Sequence, residues 1–169
     1  MKKNNPPDGV PVWFDGKNIN EALFCDEFLQ THKILFTNGA FFTPEGRVTD
    51  ELPLRGEIFE ELKCCAVSNI PRKISNIVEL MKLAALVEDF PPKADRIHLS
   101  NGTLFLDGKF VEGKSEIVRN RFPVAYNPNA PKPVLWLQFL DGLLYPEDIP
   151  TLQEYIGYCL IPSLSLIHI

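Results

Sequence analysis

The chain has 169 residues, 45% of them apolar and 23% charged, with a formal net charge of −5. That length holds one domain or two small ones, and folding buries roughly 70% of the unfolded surface, so no disulfide or metal staple is required. The acidic balance excludes a surface that attracts nucleic acid on every side but leaves room for a local basic face, and no run of about 18 apolar residues offers a membrane span.

In chain order, residues 1–12 are polar with Pro6, Pro7 and Pro11, and lack the apolar core of a secretory signal. They read as a flexible leader of a cytoplasmic protein, docked by Trp13 and Phe14. Ala22, Leu23, Phe28 and Leu29 predict a helix over about residues 20–32. Asn38-Gly39 between KILFT and AFFT predicts a tight hairpin, because both residues tolerate positive φ. Pro44-Glu45-Gly46 then turns into a short strand, RVTDE. Two helical stripes follow, Ile58, Phe59, Leu62, Cys65 and Ala66, then Ile74, Ile77, Val78, Met81, Ala84 and Ala85. Pro71 suits the first turn of the second helix.

Phe90-Pro91-Pro92-Lys93 reads as a linker. Beyond it, Asn101-Gly102 and Asp107-Gly108 mark turns or bulges around alternating Leu104 and Leu106, and EIVRNRFPVAYNP reads as a further strand ending at Pro128. Two helices close the chain. The first opens with Pro133 and carries Leu137, Leu140 and Leu144 on one face, with Trp136, Phe139 and Leu143 beside it. The second is capped by Asp148 and carries Ile149, Leu152, Ile156 and Leu160. The predicted class is α+β: a small helix–hairpin–helix–helix module over 13–89, then a strand-rich unit with two C-terminal helices over 96–163.

Candidate sites are few. Arg119 and Arg121 alternate, so on a strand they share a face. Arg72 and Lys73 begin a helix. These four are the candidate contacts to the DNA phosphates that the resemblance given below implies, since such contacts need only a reachable positive group. Asp141, Glu147, Asp148 and Glu154 cluster in sequence with no histidine or nucleophile beside them, and read as helix-dipole partners. Trp136, Phe139, Tyr155 and Tyr158 have the spacing of packed helix faces. His32, His98 and His168 are scattered, and His98 reads as a hydrogen-bonded structural residue. Cys25, Cys64, Cys65 and Cys159 lack metal-ligand spacing and read as reduced thiols. No residue is assigned a catalytic, cofactor or metal role.

NGTLFLDG (101–108), RNRFPVAYNP (119–128), VLWLQFL (134–140) and DIPTLQEYIGYCLIP (148–162), in that order, closely resemble the region just upstream of the ATPase in phage and plasmid primase-helicases, relatives of the poxvirus primase-helicase. GAFFTPEGRVTDE and NIPRKISNIVELMK resemble the first half of the same linking domain. The resemblance implies a non-catalytic connector and collar. The superfamily 3 helicase motor that follows it would bind ATP and magnesium through a GxxxxGK[ST] loop, assemble as a homo-oligomeric (hexameric) ring on DNA and adjoin an upstream primase. No GxxxxGK[ST] occurs in this chain, so no backbone cradle for phosphates is expected in it. The closing LSLIHI, residues 164–169, resembles translated sequencing adapter, which makes Ser163 the expected last native residue. The alternative reading is a stand-alone adaptor that binds protein or DNA.

Overall fold

The computed structural model describes residues 11–65 and 68–161. The expected leader therefore lies largely, and the tail 164–169 wholly, outside the described residues. The chain divides between Phe90 and Pro91 into two compact units. Its elements are α-helices and two three-stranded antiparallel sheets, an α+β protein with helices at the C-terminal end.

In the first unit, α1 (Glu21–Thr31) starts where Asn20 Oδ1 accepts the Leu23 amide at 3.2 Å. This side-chain cap satisfies a donor that the first turn leaves open. β1 (Leu35–Thr37) and β2 (Ala40–Thr43) form the hairpin, with Asn38 and Gly39 at φ 49° and 73°. β3 (Gly46–Arg47) is shorter than the expected RVTDE strand. After the Val48 amide bonds Phe41 O, the Asp50 carboxylate accepts the Leu52 amide and starts α2 (Leu52–Leu62) instead.

α2 buries Leu54, Ile58 and Leu62 but leaves Phe59 exposed. The helix ends before Cys65, which is buried in the following turn, and Ala66 lies outside the described residues. α3 (Ile70–Ala84) buries Ile74, Ile77, Val78 and Met81 along the predicted stripe. These residues join Trp13, Phe24, Phe28, Phe41, Ile58 and Leu62 in one apolar core. The segment after α3 returns to β1, where the Phe36 amide bonds Ala85 O and the Val87 amide bonds Phe36 O.

In the second unit, β4 (Arg96–Leu99), β5 (Gly102–Phe105) and β6 (Phe110–Glu112) form an antiparallel meander. The expected strand over EIVRNRFPVAYNP is absent. Residues 118–126 instead run beside β4 as a strap, bridging Leu99 to Phe122 in parallel. The Phe122 amide bonds His98 O and the Ser100 amide bonds Val124 O. Pro123 stands between them, at a position whose N–H would point away from β4, so its missing donor costs no bond there.

α4 (Val134–Leu143) and α5 (Asp148–Cys159) complete the unit. Pro133 stands at the cap of α4 rather than within its first turn, and Asp148 is the first residue of α5, with Glu147 at a cap position that makes no side-chain bond. No described helix is long and apolar enough to cross a membrane.

Candidate functional site

The strap determines what Arg121 does. Its Nη1 donates to Leu99 O at 2.6 Å and Gly102 O at 3.2 Å, the two carbonyls on either side of the β4–β5 turn. One residue pair locks the other end: Asn101 Nδ2 donates to Tyr126 O while Asn101 Oδ1 accepts the Tyr126 amide, and the Tyr126 ring packs at 4.8 Å from Phe110. Alanine at Gly102 has no room, because a Cβ there would collide with Val111 O and the Phe110 ring. The turn, the arginine and the strap therefore form one closed joint.

The correction to the sequence reading is geometric. Arg119 and Arg121 do not share a strand face, because the segment carrying them is not a strand. Arg121 turns its guanidinium onto backbone carbonyls and Arg119 is half-buried. In the first unit, Lys73 lies 3.8 Å from Glu21, which also accepts from Asn76, so this lysine ties α3 to α1. Arg72 is exposed at the start of α3.

Beside the strap is a charged network. Glu116 accepts from Lys93 at 2.6 Å and from Arg96 at 2.8 Å. Arg96 also pairs with Asp95 and lies 4.6 Å over the Phe105 ring. His98, as expected, is buried and hydrogen-bonded, its Nδ1 lying 3.1 Å from Thr103 Oγ1. Burial, then the positive charge of Arg121, holds the His98 pKa below its ordinary 6.5. The Lys93 bond, with Arg96 behind it, holds Glu116 below its ordinary 4.5, and the Arg96 bond holds Asp95 below its ordinary 3.8.

These directions predict a two-stage acid response. Above about pH 6.5 neither the folded nor the unfolded state protonates His98, and its share of stability is complete. As pH falls from there toward the lowered folded pKa, the unfolded chain takes the proton first and stability falls. As pH falls through 4.5 and then 3.8, the unfolded chain protonates these two carboxylates before folded Glu116 and Asp95 do, and stability falls again. Urea midpoints measured from pH 8 to 3 are expected to show both stages, and His98→Gln is expected to remove the upper one. A pH-independent midpoint would contradict the network.

Among the described residues no three His, Cys, Asp or Glu side chains gather as a metal ligand set, and Asp141, Glu147, Asp148 and Glu154 are all exposed. The thiols are free. Cys64 Sγ and Cys65 Sγ lie 3.5 Å apart, and burial pushes Cys65 up to about 11, which keeps it a thiol at neutral pH. One groove, of about 420 Å³, lies along Gly39, Phe41, Arg47 and Glu51; another, of about 340 Å³, along Leu137, Gln138, Asp141 and Ile149. Neither brings a nucleophile to a base, the minimum for covalent or general-base chemistry.

The C-terminal helices carry an exposed apolar surface. Of α4 only Leu140 is buried, and of α5 no described residue is. Trp136 and Phe139 stack at 5.7 Å yet are 40% and 57% exposed, and Tyr155 and Tyr158 are exposed too, not packed as their spacing had indicated. VLWLQFLDGL is apolar on nearly every face, and one neighbouring helix cannot cover such a helix all round. No family model matches the chain, and no curated protein matches it.

Proposed function

We propose that the chain is a non-catalytic linker and collar domain of a DNA-replication primase-helicase, acting in the cytoplasm. It would position an ATP-dependent motor and support assembly of its ring on DNA. One observation supports this most: the second unit closes its sheet with a clamped strap yet leaves the apolar side of α4 uncovered. Closed scaffolding beside an open apolar helix suits an element that holds a neighbouring domain better than one that turns over substrate. ATP and magnesium belong to the motor in this reading. The chain itself carries no GxxxxGK[ST] loop to cradle phosphates.

The coding DNA beyond codon 163 tests the reading. A Walker A sequence is expected about 10–20 codons further on, and the purified chain alone is expected to hydrolyse no ATP above background. A natural stop codon directly after codon 169 would overturn the motor-linked reading in favour of a stand-alone adaptor.

A further inference from the structure

Cys64 and Cys65 are neighbours in the chain but lie at different depths. α2 ends at Leu62, and the turn after it is held by the Lys63 amide on Phe59 O and the Cys65 amide on Leu62 O. The turn leaves Cys64 exposed and places Cys65, 4% exposed, in the core that holds Ile58 and Leu62. The two Sγ atoms nevertheless stand 3.5 Å apart. Cys64 Sγ–H donates to Glu61 O at 3.0 Å, so the hydrogen between the two sulfurs is that of Cys65. Of the other two thiols, Cys25 is buried on α1 and Cys159 belongs to the second unit.

We propose that Cys64 and Cys65 form a hydroperoxide-reactive dithiol that closes reversibly to a disulfide. The Cys64 thiolate attacks hydrogen peroxide: the S–O bond forms, the O–O bond breaks, and the departing hydroxide leaves as water with the proton that Cys64 gave up. Cys65 sulfur then attacks Cys64 sulfur. The S–S bond forms, the S–O bond breaks, and the departing hydroxide leaves as a second water with the Cys65 proton. Two thiols and one hydrogen peroxide give one disulfide and two waters, and two electrons pass from sulfur to oxygen.

Depth divides the roles. An oxidant reaches the thiol that solvent reaches, so Cys64 is oxidised first. Burial pushes Cys65 up to about 11, so it waits as a thiol. It meets the oxidised sulfur as an intramolecular partner already in contact, and that proximity offsets its small thiolate fraction. A sulfenic acid beside a resolving thiol condenses before further oxygen is added. Covalent geometry makes the closure reversible. Neighbouring Cα atoms are about 3.8 Å apart, against roughly 4.4–6.8 Å across ordinary disulfides, and such strain makes the bond easier to reduce. The site lies in the first unit and is independent of the motor-linked reading.

The test treats the full chain with a molar excess of hydrogen peroxide, alkylates the remaining thiols in denaturant and digests with trypsin. Cleavage after Lys63 and Arg72 puts both sulfurs in one peptide, 64–72, without Cys25 or Cys159. That peptide is expected to lose about 2 Da and escape alkylation, and dithiothreitol is expected to restore two alkylated thiols. Cys65→Ser removes the resolving sulfur, and Cys64 is then expected to gain about 32 Da as the sulfinic acid. Cys64→Ser changes an exposed residue and leaves the core intact; its Cys65 is expected to stay reduced. An unmodified 64–72 peptide, or an oxygenated Cys64 beside a Cys65 that still alkylates, would overturn the proposal. So would a disulfide from Cys64 to Cys25, to Cys159 or to a second chain, or oxidation of Cys65 in the Cys64→Ser chain as fast as in the parent.

Discussion

Replacing Arg121 with alanine is expected to destabilise the second unit by about 3 kcal/mol, because hydrogen bonds from a charged donor contribute about 1.5–3 kcal/mol and the carbonyls left behind lose their partner. The arginine serves Leu99 O and Gly102 O with one nitrogen, across the turn that joins β4 to β5. Arg121→Lys keeps the charge but not the planar fork, and is expected to recover about half of the loss. The measurement is amide exchange at Ser100 and Phe122, whose N–H groups bond Val124 O and His98 O across the strap. Both amides are expected to lose protection in the alanine variant.

A DNA contact at Arg121 would give a different result. Protection would hold while DNA affinity fell, and the salt dependence of binding would flatten by about one phosphate contact, a slope change of about 0.9. That outcome would return Arg121 to the nucleic-acid face on which its alternation with Arg119 had placed it. Arg72, exposed on α3, is the control that has no strap to loosen.

Phe24→Ala is expected to cost the first unit about 3–5 kcal/mol, the range for deleting a buried aromatic ring and leaving a cavity. Phe24 is fully buried, its ring edge-on to Trp13 at 4.9 Å and stacked on Phe28 at 5.8 Å. It stands where α1, the Trp13 segment and α3 meet in one core. The chain holds two tryptophans, so a Trp136→Phe background leaves Trp13 as the single reporter. Urea unfolding followed by its emission is expected to show the midpoint falling with an unchanged slope. A loss under about 1 kcal/mol would mean that the neighbouring rings collapse into the space, and that Phe24 is not the keystone its position indicates.

The sequence by itself determined the local elements, because each depends on neighbours a few residues apart. Asn38-Gly39 was a turn that accepts positive φ, and the α3 stripe recurred at helical period; both stand in the structure. The class α+β followed from their order. Tertiary structure alone decided the residues whose roles depend on distant partners. Alternation made EIVRNRF resemble a strand, but pairing requires a neighbour with matching free carbonyls and amides, and the backbone of this segment bonds β4 and the turn after it only at Phe122 and Val124, so a strap formed instead. Arg121 changed from a candidate surface charge to a clamp because Leu99 and Gly102, some twenty residues earlier, present carbonyls to it. Trp136 and Phe139 had the spacing of a packed face, yet spacing states only which residues lie together. Whether anything covers them depends on what stands opposite, and in the second unit Leu140 takes the covered position while they face outward.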